Sequence, residues 1–469
     1  MSAPLSPASQ SATTWSTEVR ATFNLGVMLA LTQLASIAMT TTDVVMAGWL
    51  GPRYLAAESL AGSTVYPFFF FGMGVAAALA PMIAQDISRG NANGIRRSVQ
   101  QGFWVMTALS IPSMIFLSQI ETILVLLGQD PHIAELGGGY VQAVLWSLLP
   151  SFGFLVLRNF ISAHGRPRSA LIIMLAAIGV NGLSNYVLMF GAFGLPRLEL
   201  VGLGLSTTLV SWLMFVVLLG FCLRDKHFRK YQLLVGTWKP DWPHFRAIFK
   251  LGSPIGFGVI AEVGMFALAT FLMGLIGADA LAGNAVAIQA TAVVFMVPMG
   301  LSQAVTVRVG LAIGRDNLRD ARQLGIVGIG LSIGFALLSA SCLIVFAQDI
   351  AELFLDKDRA NDQAAITLAV TFITVAAFFQ LVDGIQAVSA GALRGMKDTT
   401  IPMCMQVISY WGVGGTCMII LAFTLNFQGA GIWAGLVIGL SVASVVLSWR
   451  FHHLSKRAMQ TIAGLPEAG

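Results

Sequence analysis

Charge is scarce in this chain. Of 469 residues only 10% are Asp, Glu, Lys or Arg, against 56% hydrophobic residues and a mean hydropathy of +0.79. A soluble globular chain carries about 25% charged residues, so an aqueous fold is excluded, and a domain count from length with it. Cysteine is scarce too. Cys222, Cys342, Cys404 and Cys417 lie within or at the ends of apolar runs at no metal or redox spacing, which excludes a disulfide framework. The six histidines (His132, His164, His227, His244, His452, His453) sit in connections, near span ends or in the C-terminal tail. No HExxH or GxGD arrangement accompanies them, and an intramembrane enzyme is not expected. The first 20 residues, rich in Ser, Ala and Thr, read as a disordered tail and show no signal-peptide pattern.

What the chain does have is apolar runs of about 20–25 residues, the length needed to cross a ~30 Å hydrocarbon core as helix. Twelve are expected, at 22–49, 59–85, 99–119, 137–158, 168–190, 200–222, 252–276, 284–307, 323–346, 366–390, 401–423 and 429–449. The longest connection, 223–251, falls at the midpoint. The chain therefore divides into a cytoplasmic tail (1–20), an N-lobe (21–222), a cytoplasmic linker (223–251), a C-lobe (252–450) and a C-terminal cytoplasmic tail (451–469). With both termini on one side, 23 of the 27 Lys and Arg fall on that side. Only Arg53, Arg197, Lys357 and Arg359 fall on the other. The imbalance places the termini in the cytoplasm. It also explains the net charge of +5 without nucleic acid as a partner.

The halves repeat. At an offset of 226, GWLGPRYLA (from Gly48) lies over GLIGADALA (from Gly274), with Met73-Gly74 over Met299-Gly300. Arg89, Asn91 and Arg96 lie over Arg315, Asn317 and Arg322 in the same register. HGRPRSA (from His164) falls near LRGMKDT (from Leu393) at an offset of about 230. Six spans per half means that both halves enter from the same side, a parallel repeat common in secondary transporters. The substrate path then lies between the halves.

Nineteen of the 22 acids sort into connections, tails or span ends, leaving Asp43, Glu262 and Asp383. Glu262 sits near the middle of PIGFGVIAEVGMFALATF, residues 254–271, with no Lys or Arg in that stretch. A charge at bilayer depth costs roughly 2.5–3.5 kcal/mol on insertion scales and more in simulations, so such acids face a wet cavity or bind something. Phe266 lies one turn beyond Glu262, on the same helix face. Asp383 shares a stripe with Phe379, Gln380 and Gln386. Asp43 shares one with Ser36, Thr40 and Ala47, while Asn181 and Asn185 are spaced i, i+4. The mid-span charges are acidic, and the reading they support is a cation-coupled exporter.

The chain resembles the multidrug and toxic compound extrusion (MATE) family, in its NorM-like branch. The resemblance rests on TTDVVMAGWLGPRYLAAESL (41–60), LAPMIAQ (79–85), NGLSNYVLMFGAFGLP (181–196) and GSPIGFGVIAEVGMF (252–266). VFMVPMGLSQAVTVRVGLAIG (294–314) and FFQLVDGIQAVSAGALRGMKDTTIP (378–402) complete it. It implies an all-α integral membrane fold of twelve transmembrane helices in two six-helix lobes, related by a pseudo-two-fold axis along the membrane normal. It implies export of organic cations and amphipathic drugs in exchange for Na⁺ or H⁺ across the bacterial inner membrane. No cofactor beyond that coupling ion is expected, and the partners are small-molecule drugs and membrane lipids, with the chain a monomer. Carried over by position, Glu262 and Asp383 match the C-lobe cation site, and would hold Na⁺ in a sodium-coupled member. Asp43, Asn181, Asn185 and Thr207 match the N-lobe polar site, and Phe266 a nearby aromatic. Two departures stand out. Phe379 replaces a common Tyr, which removes one Na⁺ oxygen and leans toward H⁺ or a Na⁺ site built elsewhere. Met28 replaces a common Pro in the first span. A flippase for lipid-linked saccharides is the alternative with this architecture, and it should carry cavity-lining cations.

Overall fold

The computed structural model describes residues 15–236, 239–355 and 363–463. In hydrocarbon a backbone must satisfy its own polar groups, and a helix does so within one segment. The described residues accordingly form helices joined by short turns. The first half contains α1 (Trp15–Leu50), α2 (Pro52–Ala77), α3 (Leu79–Ser88), α4 (Ala92–Leu117), α5 (Ile120–Leu126), α6 (Pro131–Val144), α7 (Leu148–Ala163), α8 (Arg168–Phe190) and α9 (Glu199–Arg224). The second contains α10 (Trp242–Ile276), α11 (Ala278–Gly314), α12 (Leu318–Val345), α13 (Ala347–Phe354), α14 (Gln363–Gly395), α15 (Thr400–Val407), α16 (Thr416–Ile419) and α17 (Gln428–Ala463). Two π-helical stretches, Ile408–Gly415 and Ile420–Thr424, flank α16. Among the described residues eleven spans are long and apolar enough to cross a membrane, or twelve if α4 and α5, bent by 50° at their junction, count as one.

Each expected span falls on such a helix, and the differences lie at the ends. Helix α1 starts at Trp15, inside the stretch expected as tail; residues 1–14 lie outside the described residues. Its first turns are held by Arg308 of α11. That guanidinium donates to the Glu18 carbonyl at 2.7 Å, to Thr22 Oγ1 at 2.6 Å and to the Glu18 carboxylate. Helix α10 begins at Trp242, within the expected linker, because Asp241 caps it by accepting from the His244 N–H at 3.3 Å. Helix α17 continues past the expected end of the C-lobe to Ala463, with Phe451 packed on Gly325. Lys357 and Arg359 lie outside the described residues.

The repeat is physical. Asn91 and Asn317, in register at 226, are both helix N-caps, accepting from Gly94 N at 3.0 Å and Asp320 N at 3.1 Å. A side-chain acceptor at that position satisfies a backbone donor the helix leaves free. Arg89 and Arg315 both close the preceding helices. The lobes meet where α3 packs on α11 and at two crossings related by the repeat, α1 on α11 and α2 on α10. A Cβ on Gly300 would stand 2.4 Å from Ala30 N and 2.6 Å from Gly26 O. A Cβ on Gly74 would stand 2.4 Å from Gly256 Cα, and one on Gly252 2.6 Å from Val75 O. Adding 226 converts Gly26, Ala30, Gly74 and Val75 into Gly252, Gly256, Gly300 and Leu301, so one crossing is the image of the other. Backbone contact this close requires glycine. One large apolar core fills the first half, and two fill the second.

Candidate functional site

Two polar clusters lie inside the lobes, one in each. In the C-lobe, α10 brings Glu262 and α14 brings Asp383 to the same cavity of about 440 Å³. Phe266, Phe379 and Gln386 also line it, and Phe70 and Met73 of α2 approach it from the N-lobe. Asp383 and Gln380 are buried, and Phe379 packs edge-on against Phe266 at 5.7 Å and against Trp433 at 5.9 Å. The stripe expected on α14 is thus turned inward as one surface.

Tyr410, in the first π-helical stretch, is a residue the sequence reasoning missed. Its hydroxyl accepts from Gln386 Nε2 at 2.5 Å and Gln406 Nε2 at 3.3 Å, and it stands near the Glu262 carboxylate. With two donors directed at the oxygen, its own proton is left for Glu262. A phenol oxygen therefore does stand at this site, supplied from another helix than the one that carries Phe379. Widened π turns recur at functional sites, and the SYWGVGG string that forms this one gives no periodicity signal.

Several acceptors here go unanswered. Asp383 Oδ1, Gln386 Oε1 and Gln380 Oε1 are buried and receive no hydrogen bond from the protein. Gln380 spends its amide on the Thr291 carbonyl at 3.0 Å. A buried acceptor without a donor costs about 1–3 kcal/mol, so the two that line the cavity, on Asp383 and Gln386, call for a positive or proton-bearing guest. Carboxylate, amide and phenol oxygens are hard ligands suited to Na⁺ or to a proton. No group of three His, Cys, Asp or Glu that could hold a metal occurs among the described residues, so any metal ion would need these other oxygens.

The expectation that interior charges are all acidic is corrected. Arg394, at the end of α14, lines the same cavity, and its charge acts on Glu262. Among the described residues no ion pair within 4 Å engages it. Arg158 of α7 is buried too, donating to Gln33 Oε1 at 3.0 Å, and it faces Arg394 across a small inter-lobe space. Both were counted with the connections because each falls at the edge of an expected span.

In the N-lobe, Asn185 Nδ2 donates to Asp43 Oδ1 at 2.7 Å and to Asn181 Oδ1 at 3.4 Å. The Asn181 and Thr207 side chains stand near the Asp43 carboxylate, and Thr207 Oγ1 donates to the Leu203 carbonyl at 3.1 Å. Asn181 Nδ2 and Asn185 Oδ1 keep free valences. The structure therefore brings Asp43, Asn181, Asn185 and Thr207 together in one buried cluster. It adds Glu58, a buried acid of α2 on which the charge of Asp43 acts. Sequence reasoning missed it because it lies one residue before the expected second span. It also missed a GxSxG string at 330–334, which lies inside α12 and lacks the strand-to-helix turn that exposes a nucleophile.

The family model MatE matches residues 29–187 and 254–420, most of the chain and both halves. The chain belongs to the MatE family. Among the most similar relatives of this MatE protein is a probable multidrug resistance protein NorM of Mesorhizobium japonicum, 43% identical over 440 residues. That match covers 93% of this chain and 94% of the relative. The corresponding protein of Rhizobium meliloti is 40% identical over 448 residues, covering 96% of each. Solved structures share the fold at lower identity. A eukaryotic MATE transporter, AtDTX14, superposes with a TM-score of 0.83 at 18% identity, over 96% of this chain and 99% of that one. An outward-facing multidrug resistance MATE transporter superposes with a TM-score of 0.85 at 17% identity, over 94% and 96%.

Proposed function

We propose that this MatE protein exports organic cations and amphipathic drugs by alternating access, in exchange for Na⁺ or H⁺. The observation that carries the reading is the C-lobe cavity: two carboxylates and a set of undersatisfied oxygens share one space lined by aromatics. A proton, a Na⁺ or a lipophilic cation can each supply the missing positive charge. Competition for the same oxygens makes exchange obligatory without a mechanical link between separate sites. Moving one positive charge down the membrane potential releases about 2.3 kcal/mol per 100 mV, which adds to any ion gradient. Tyr410 offers the phenol oxygen that Phe379 lacks, so the sequence-based lean toward H⁺ loses its basis. Phe266 and Phe379 give the aromatic surface for the drug. The N-lobe cluster around Asp43 is the second cation-responsive site. In this reading the protein lies in the bacterial inner membrane, with both termini and the basic connections in the cytoplasm.

Arg158 and Arg394 are the feature that would favour a lipid-linked saccharide flippase, whose pyrophosphate needs cations. Arg394 shares its cavity with two acids, so the cavity as a whole is not cationic. The test is ethidium efflux from intact cells expressing Glu262→Gln or Asp383→Asn. Both variants should fold, reach the membrane and lose efflux. Normal efflux by both would overturn the C-lobe mechanism.

A further inference from the structure

A second cavity is larger than the acidic one. It lies at the end of the lobes that carries the N-terminus and encloses about 1030 Å³. Helix α1 forms one wall with Asn24 and Met28, and α11 another with Arg308 and Arg315. The α7–α8 turn contributes His164, Arg166 and Arg168, and the segment after α9 adds His227 and Lys230. Five cationic side chains and two imidazoles thus line one concavity, and among the described residues no acid lines it. Arg308 is engaged by Glu18. Among the described residues Arg166, Arg168, Lys230 and Arg315 have no carboxylate within 4 Å. Lys230 rests over the Tyr231 ring at 5.0 Å.

Topology alone asks only that basic residues lie on this side. It does not ask that they converge on a hollow between the two lobes. Burial pushes the His164 imidazole down to about 4 against a hydrogen bond to the Phe160 carbonyl, and the neighbouring His227, Lys230 and Arg166 add a smaller push in the same direction. The Tyr231 hydroxyl meets its other nitrogen at 3.0 Å. A cationic hollow is also the wrong mouth for a cationic cargo unless something neutralises it.

We propose that this vestibule binds a phosphate-bearing anion, held by Arg166, Arg168, Arg315 and Lys230. Two sources share that chemistry, an anionic phospholipid headgroup and a free phosphate compound. Bound there, the anion cancels the field at the cytoplasmic approach and bridges α8 to α11, and so one lobe to the other. The proposal does not need the C-lobe acids to work as transport groups.

The full chain, purified in detergent, is examined by native mass spectrometry with phosphatidylglycerol and, separately, phosphatidylcholine. A second arm measures the thermal shift given by inorganic pyrophosphate in lipid-free detergent. The protein should retain phosphatidylglycerol in preference, or be stabilised by pyrophosphate; the first result assigns a lipid and the second a free phosphate. The R166Q/R168Q/R315Q variant should lose that affinity by roughly a hundredfold, about fivefold for each basic side chain removed. R166K/R168K/R315K, which keeps the charge, should retain most of it and shows that the turn still folds. R96Q/K226Q/K250Q removes the same charge from outside the vestibule and should bind normally. Neither ligand binding, or equal binding by the first variant, overturns the proposal. Because retention is read without transport, its failure is distinct from failure of the exchange mechanism.

Discussion

At the scale of single residues, the site turns on who answers each oxygen. Tyr410 stands near Glu262, and two glutamine amides donate to its hydroxyl, which leaves the phenol proton free for that carboxylate. A hydrogen bond to a charged group contributes about 1.5–3 kcal/mol, so Tyr410→Phe should weaken ethidium binding by roughly tenfold or more and lower the melting temperature. Fluorescence titration and a thermal ramp measure both, and unchanged values would remove Tyr410 from the site. In the proposed exchange Arg394 acts in the opposite sense, as a resident cation competing with the visiting one. At an effective dielectric near 20 a charge several ångströms away contributes on the order of 2 kcal/mol. Arg394→Gln should therefore bind ethidium at least tenfold more tightly yet turn over more slowly. Its efflux kinetics should show a lower KM with a lower maximal rate, whereas Arg394→Lys should stay near the parent. A rise in KM would contradict this role. The acids Glu262, Asp383 and Asp43 were legible in the sequence because a carboxylate inside an apolar run has few bland explanations. Tyr410 was not, since a lone tyrosine in an apolar stretch looks like core until a neighbouring helix is placed against it. Arg394 and Glu58 escaped for a different reason. Span ends read from hydropathy are uncertain by a turn, and a charge at such an end is assigned to water.

At the scale of elements, the order of helices and the repeat were readable, because hydrocarbon leaves the backbone little choice and hydropathy reports the spans directly. The Asn91 and Asn317 match proved to be a pair of helix caps, a local rule written twice. What could not be read was the pairing of glycines across the lobes. Gly26 and Gly74 look alike in sequence, but only the packing shows that each lies against a backbone of the other half. The prediction at this scale concerns those crossings. Gly300→Val or Gly74→Val introduces side-chain atoms where the nearest backbone atom is 2.4 Å from an added Cβ, so the helices must part on the side of the N-terminus. Met28 lines the vestibule there. In a background with the native cysteines replaced, Met28→Cys should react several-fold faster with an impermeant maleimide in inverted vesicles when Gly300→Val is added. An unchanged rate would mean that this crossing does not control access.

At the scale of the whole molecule, two halves of one design carry different chemistry. The crossings are symmetric, whereas the clusters are not: the N-lobe surrounds Asp43 with amides and a hydroxyl, and the C-lobe sets Glu262 and Asp383 around a cavity with Phe266 and Phe379. In the proposed alternating access, symmetric crossings let the lobes rock between two states while their asymmetric clusters meet different cations. The central claim is that drug and coupling cation occupy the same oxygens by turns. Equilibrium binding of ethidium to the purified full chain, titrated with Na⁺ at fixed pH and then with acid at fixed Na⁺, tests it most directly. The apparent Kd should rise in proportion to the coupling cation, and Glu262→Gln/Asp383→Asn should abolish that dependence. A Kd indifferent to both cations, or competition that survives in the double variant, would contradict the account.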